Sequence, residues 1–284
     1  MANPAPGAVQ LHRVPPGEER PDIIALHGFI QTSVSWSHLA RALQNRRKLC
    51  RFDLKGHGDS PAPADGKYSL EDHAAPILAF IRDRDLRDLS LVGHSFGGSV
   101  ALLVAIRLIE EGKRRLSSLV LVDSLVSPQS GRIQLLRAFG LLGAPILAPV
   151  LTWDSLAELA VQAGLAVLCK QRKKIEETAV KAYAANLRQP DHAQALVETA
   201  RHIAHNDYTE LQQKLAIVDV PTLIVWGRQD PLVPFASGED LRRKLPNARL
   251  FPVEDCGHVP QEEQPEIAVP EIAAFVTGHG GAPS

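Results

Sequence analysis

An apolar run, Leu89-Ser90-Leu91-Val92, leads directly into Gly93-His94-Ser95-Phe96-Gly97-Gly98. A serine with glycine two residues before and two after it, between a strand and a helix, has its hydroxyl exposed for attack on a carbonyl. Such a turn strains the serine backbone, and small neighbours remove the clashes it would create. The helix start that follows favours developing negative charge. Alone, the pattern also marks an ordinary Gly-rich turn with an incidental serine, so its meaning rests on partners elsewhere.

A serine hydroxyl needs a base to take its proton. Asp255-Cys256-Gly257-His258 follows the run Arg249–Val253, so His258 stands on a loop at a strand end and is the expected general base. An imidazole in that role needs a carboxylate to fix its tautomer and stabilise its charged form. In Trp226-Gly227-Arg228-Gln229-Asp230-Pro231, Asp230 lies just past the run Thr222–Trp226. Considered singly, Asp230 is a turn aspartate before proline. Asp123, ending the run Leu119–Asp123, is an alternative acid. The chain order Ser95, Asp230, His258 and the Gly-Arg-x-Asp-Pro setting favour Asp230. The run Ile23–Leu26 ends in His27-Gly28-Phe29, so backbone N–H groups of Phe29 and Phe96 are the expected oxyanion donors. Most of the 11 histidines, including His12, His38, His73, His192 and His279, are expected to be plain surface residues.

The elements that must position these groups follow from periodicity. Short apolar runs at Ile23–Leu26, Leu49–Asp53, Leu89–Val92, Leu119–Asp123, Thr222–Trp226 and Arg249–Val253 suit strands covered on both faces. Helical patterns lie between them at Trp36–Leu43, Leu70–Arg82, Gly98–Glu110, Gly238–Leu245 and Glu266–Val276. Alternating order of this kind predicts an α/β fold, a doubly wound and mostly parallel sheet. The rhythm breaks once. Residues 1–126 and 215–284 carry it as two parts of one core, and 127–214 offer only Leu- and Ala-rich helical patterns, an inserted helical cap. Its apolar residues include Leu135, Leu136, Phe139, Leu141, Leu142, Ile146, Leu147, Leu151, Trp153, Leu156, Leu159 and Leu165. Most are expected to pack the cap, and a few to face a cavity. The basic cluster Lys170-Gln171-Arg172-Lys173-Lys174 reads as a solvated helix face, since four cations repel one another in a closed pocket.

Taken together, His27-Gly28-Phe29 with Trp36, Asp53-Leu54-Lys55-Gly56-His57-Gly58-Asp59-Ser60, Gly93 to Gly98, Trp226 to Pro231 and Gly257-His258 resemble the α/β-hydrolase superfamily from Val9 to Val276. The similarity is to its serine-nucleophile branch with a helical cap, which holds small esterases and haloperoxidase-like enzymes. Epoxide hydrolases and haloalkane dehalogenases usually carry aspartate where this chain has Ser95. The resemblance implies a carboxylesterase-type serine hydrolase with an acyl-enzyme at Ser95 and with no metal and no cofactor. Asp53 to Ser60 is similar to the family's Asp-x-Arg-Gly-x-Gly-x-Ser stretch, with Lys55 where Arg is usual, and is taken as a structural turn. The family usually opens with a β-hairpin. Only Val9–Val14 is available for it here, so the first strand is expected to be missing or very short.

Composition narrows the partners. Lys+Arg 31 against Asp+Glu 32 leaves no basic footprint for nucleic acid. Cys50, Cys169 and Cys256 stand far apart with no CxxC pair, which suggests neither a disulfide framework nor a zinc site. The start, MANPAPGAVQ, lacks the pattern of a signal peptide. The stretch Leu141 to Leu151 contains Pro145 and Pro149 and is too short to span a bilayer. A soluble cytoplasmic protein acting on a small molecule is expected, without nucleic-acid or membrane partners and with the oligomeric state left open. Cleavage of a neutral, largely apolar ester is the leading reading. Carbon–carbon bond hydrolysis or a lyase step on the same residues is second, disfavoured because Gly28-Phe29-Ile30-Gln31-Thr32 lacks the Gly-rich form common in such hydrolases. A non-catalytic ligand receptor is the reading of a different class.

Overall fold

Strand runs with no polar face must be covered on both sides, and they are. A computed structural model describes residues 11–12, 20–44, 46–112, 114–126, 154–206 and 208–279. Among these residues the strands are β1 (Leu11–His12), β2 (Ile23–Leu26), β3 (Leu49–Phe52), β4 (Leu89–His94), β5 (Leu116–Val122), β6 (Thr222–Gly227) and β7 (Ala248–Val253). They form one sheet in the order β1-β3-β2-β4-β5-β6-β7. Every neighbouring pair is parallel except β1 with β3. Among the described residues the first strand covers Leu11 and His12.

Helices cover the two faces. On one, α1 (Ser37–Leu43) and the C-terminal Pro265–Gly278 pack against Ile23, Ala25, Val92 and Val225. On the other, α2 (Leu70–Asp83) and α3 (Phe96–Glu110) pack against Ile24, Leu26, Leu91 and Ile224. Alternate residues of β2 therefore serve opposite layers, the period-two rule of a strand buried on both sides. The sheet is doubly wound and mostly parallel, as the periodicity predicts.

Two boundaries bear on the site. The strand β4 runs two residues past Val92, to His94, and α3 starts at Phe96, so Ser95 is the sole residue between them. The strand β5 ends at Val122, because Asp123 turns to a φ of 40° and leaves the extended conformation.

Between β5 and β6 the described residues form α4 (Asp154–Leu168), α5 (Glu177–Arg188), α6 (Pro190–His205) and α7 (Thr209–Gln213). Ala157, Val161, Tyr183, Leu187 and Leu196 of this layer pack with Phe29, Ile30, Val34 and Val259 of the core loops. Leu135, Leu136, Phe139, Leu141, Leu142, Ile146, Leu147, Leu151 and Trp153 lie outside the described residues. Of the others, Leu156 and Leu165 are half-buried and Leu159 is exposed. The basic cluster forms a single 3₁₀ turn over Arg172–Lys174 in place of a helix face. It is exposed, and Lys174 Nζ reaches Gln264 Oε1 (2.7 Å) and Glu266. The remaining helices are α8 (Phe235–Lys244), α9 (Pro260–Glu263) and α10, the C-terminal Pro265–Gly278. Among the described residues no helix is long and apolar enough to cross a membrane. The three cysteines are free and buried.

Candidate active site

Parallel register puts the carboxyl ends of the strands on one edge. Leu26 pairs with Gly93, His94 with Val122, Val122 with Val225 and Gly227 with Val253. Loops leaving β2, β4, β5, β6 and β7 therefore start side by side, which is where ligands bind in open α/β sheets.

Ser95 has φ 51° and ψ −119°, a conformation that L-residues rarely hold. Its surroundings impose it. Ser95 N donates to Val122 O (2.9 Å), and Ser95 O accepts from Gly98 N (2.9 Å) and Leu125 N (3.1 Å). The glycines are needed for contact: a Cβ at Gly93 would strike the Gly97 carbonyl, and one at Gly97 would strike the His27 carbonyl. The strained turn thus lies pressed against the end of β2.

His258 Nε2 stands 2.9 Å from Ser95 Oγ, and His258 Nδ1 stands 2.7 Å from Asp230 Oδ2. Asp230 Oδ1 accepts two further N–H groups, from Leu232 (2.7 Å) and Val233 (3.0 Å). An ionised Asp230 assigns the proton to Nδ1, which leaves Nε2 to accept from the serine hydroxyl. All three residues are buried. The His258 loop is held from outside as well, since His258 N donates to Leu168 O at the end of α4 (2.9 Å) and Gly257 N to Glu263 Oε1 (2.6 Å).

Phe96 is the first residue of α3, and an N–H there has no acceptor within the helix. Phe29 lines the same cavity as Ser95 and Phe96. The loop that carries it turns through Ile30 at a φ of 69°. Gln31 fastens that loop: its Oε1 accepts from Gly28 N (2.9 Å) and lies 2.7 Å from His94 Nδ1, and its Nε2 donates to Glu262 Oε2 (2.8 Å). Tyr183 OH donates to the other Glu262 oxygen (2.8 Å), and His94 Nε2 lies 2.7 Å from the His258 carbonyl. One polar chain therefore ties the Phe29 loop, the serine turn, the His258 loop and α5 together. Burial pushes the Glu262 carboxyl up to about 8.

Gln31, His94, Tyr183 and Glu262 escape a reading of the sequence. His94 was visible only as the variable residue inside the serine motif, and nothing local links Gln31 to a glutamate 231 positions on. Two histidines expected at the surface are buried: His73 at 1% exposure and His192 at 7%. The His73 ring stands edge-on to Phe96, centroids 5.0 Å apart, and His192 Nδ1 lies 2.8 Å from Asn186 Oδ1. Packing of α2 and α6 onto the site loops removes both from water. The Asp53 to Ser60 stretch forms a hydrogen-bonded turn. The Asp53 carboxylate accepts from Ser33 N (2.6 Å) and Asp59 N (3.2 Å), and the positive φ of Gly56 and Gly58 makes the turn.

Asp123, the alternative acid, takes the Gly227 N–H on Oδ1 (3.0 Å). One atom each of Asp123, Asp230 and His258 lie within 4.8 Å of one another, a spacing that a cation can bridge. However, the two His258 nitrogens already face Asp230 and Ser95.

A cavity of about 510 Å³ opens over Ser95 and His258. Its described walls include Phe29, Ile30, Phe96, Leu125, Leu232, Val259 and a long stretch of α4 with Val161, Leu165 and Leu168, together with Tyr183, Leu187, Ile203 and the polar Gln31 and His94. No Asp, Glu, Lys or Arg is among the described lining residues.

The family model for the α/β-hydrolase fold matches residues 21–265. Over 249 residues the chain is 30% identical to the pimeloyl-[acyl-carrier protein] methyl ester esterase of Nitrosomonas europaea, with 87% of this chain and 92% of that one covered. Over 231 residues it is 29% identical to the 2-hydroxymuconate semialdehyde hydrolase of Pseudomonas putida, covering 80% and 75%. A thermophilic esterase from Thermogutta terrifontis shares the fold at a TM-score of 0.72 and 23% identity, covering 91% and 90%. The sheet, its two helical layers and a family match across most of the chain agree: this protein belongs to the α/β-hydrolase family and is a hydrolase.

Proposed function

We propose that the protein is a serine hydrolase that cleaves a carboxylic ester or related acyl bond of a neutral, largely apolar small molecule. The observation that carries this reading is the continuous hydrogen-bonded line Asp230–His258–Ser95, at 2.7 and 2.9 Å, ending beneath a cavity without charged described walls. Ser95 Oγ attacks the carbonyl while His258 Nε2 takes its proton. Asp230 stabilises the imidazolium, and the Phe29 and Phe96 N–H groups receive the oxyanion. The protonated His258 then returns its proton to the leaving group, and water repeats the cycle on the acyl-enzyme. Residues 127–214 act as a cap, with α4 and, from the next two helices, Tyr183, Leu187 and Ile203 as described parts of the roof. The pimeloyl ester relative supports ester chemistry.

The relative from Pseudomonas putida supports a second reading, carbon–carbon hydrolysis on the same residues. Turnover of p-nitrophenyl esters of rising acyl length beside that of a diketone separates the two, and faster diketone cleavage would reverse their order. Labelling of Ser95 by a fluorophosphonate is expected. A protein that acts only as a ligand receptor, with an unreactive serine, would not be labelled.

A further inference from the structure

Asp123 is a buried acid that the mechanism above does not use. It is fully buried one residue beyond β5, in the left-handed region. Its carboxyl has two kinds of neighbour: the Gly227 N–H, at 3.0 Å from Oδ1, and the carboxyl of Asp230, with oxygens of the two within 4.8 Å. Two carboxylates this close and away from water do not both ionise, because each raises the cost of charging the other.

The donors decide which one keeps a proton. Asp230 accepts from Leu232 N, Val233 N and His258 Nδ1, whereas Asp123 accepts from one amide. Negative charge is therefore better stabilised on Asp230. Burial, and then the charge of Asp230, hold the Asp123 carboxyl well above the usual carboxylate range. The other ionisable groups facing it are His258, Glu263 of α9 and the Cys256 thiol. A carboxylate at Glu263 disfavours charge on Asp123 still further.

We propose that Asp123 is a positioning residue, kept as the neutral acid, whose O–H donates to Asp230 and so fixes the carboxylate that orients His258. Its effect on rate rests on the function proposed above, but its protonation does not. The gift of a hydrogen bond to Asp230 restrains that carboxylate and moderates its pull on the imidazolium. No charge next to His258 is added, so the pair behaves as a single negative group.

The test compares wild type, Asp123→Asn and Asp123→Leu. Asparagine keeps both a neutral donor toward Asp230 and an acceptor for the Gly227 N–H. Infrared spectra at pH 7 are expected to contain a protonated-carboxyl C=O band that Asp123→Asn removes. Asp123→Asn is expected to lower kcat by less than about fivefold, with the acid limb of kcat/KM within about 0.3 pH unit of wild type. Asp123→Leu is expected to lower kcat at least about tenfold, with little change in KM, and to move the acid limb to higher pH. Glu262 contributes a protonated-carboxyl band of its own, so the proposal is overturned if Asp123→Asn leaves the protonated-carboxyl absorption unchanged, or if Asp123→Asn moves the acid limb down by about one unit, as loss of a real negative charge beside His258 would. Should Asp123→Leu fail to fold by circular dichroism, the infrared band and the asparagine variant still decide. Should Ser95→Ala remain active, the catalytic reading fails while the band continues to report on Asp123.

Discussion

At the scale of single residues, the proposed catalysis depends on one hydroxyl held at an unusual backbone angle and on one imidazole with both nitrogens engaged. Removing the hydroxyl leaves the turn intact, since the Ser95 backbone makes the anchoring bonds to Val122, Gly98 and Leu125. Ser95→Ala is therefore expected to lower kcat on the order of 10³-fold or more, with an unchanged circular dichroism spectrum. Near-normal ester turnover in the pure variant would eliminate Ser95 as the nucleophile. Asp230 and Asp123 separate just as sharply. Asp230 Oδ2 lies 2.7 Å from His258 Nδ1, so Asp230→Asn exposes that nitrogen to an amide that can offer the wrong partner. Its loss of kcat is expected to approach 10⁴-fold on the order of magnitude seen when a relay carboxylate is amidated, far beyond that of Asp123→Asn. Steady-state kinetics of the two variants, at matched folding, would reveal the reverse order if the assignment is wrong.

At the scale of elements, the serine turn is a contact between strands as much as a turn. A Cβ at Gly97 would meet the His27 carbonyl, and Leu26 O lies next to it. Neither backbone group can swing aside. Gly97→Ala must push α3 off the end of β2, and β2 leads into the Phe29 loop. The expected outcome is a loss of about 1–3 kcal/mol in denaturant titration, together with a fall in kcat. A variant as stable and as active as wild type would show that the contact yields freely. The helix α4 makes a second element-level statement, because its residues supply much of the cavity wall. Neutral esters should gain up to ~0.8 kcal/mol of binding for each methylene accommodated, until the cavity is full. Matched esters with a terminal carboxylate should lose, since no described lining residue offers a cation. A preference for the carboxylates in kcat/KM would place a lysine or arginine in the site.

At the scale of the whole molecule, buried titratable groups shape stability against pH. Burial pushes His27 down to about 4 and His57 down to about 3, and it holds His73 and His94 well below the ordinary histidine value of 6.5. The native state leaves these rings neutral, whereas the unfolded chain protonates them below about 6.5. Their contribution is present above that value and is lost as pH falls toward 4 and 3. Glu262 works in the opposite direction. Its carboxyl keeps a proton in the folded state up to about 8, while an unfolded glutamate releases its own near 4.5. Stability from that group is full below 4.5 and is lost as pH rises to 8. Asp123 acts with the same sign. Each proton difference is worth about 1.4 kcal/mol per pH unit, so these four histidines, with His38 and His192 held down by burial in the same sense, outweigh the two acids below 6.5, and the acids prevail above it. The melting temperature is expected to peak near pH 6.5, falling more steeply on the acid side, and Glu262→Gln should flatten the alkaline side. A wild-type melting temperature that climbs steadily from pH 6.5 to 8 would contradict this balance.

Much of this could be read before any coordinates. Period-two and period-3.6 patterns mark the strands and helices, glycines mark the serine turn, and the order of the runs implies that Ser95, Asp230 and His258 leave strand ends. All of these signals are local, because backbone sterics and one-sided burial act within a few residues. What the tertiary structure decided is of another kind. Two aspartates follow the ends of neighbouring strands, and only sheet register and the course of the loop after β6 bring Asp230, and not Asp123, to within 2.7 Å of His258 Nδ1. Gln31 meets Glu262 across most of the chain, and His73 and His192 lose their water to helices that dock over the site. Contacts of that range are made by packing whole elements, and hydropathy along a chain contains no term for which helix comes to rest on which loop.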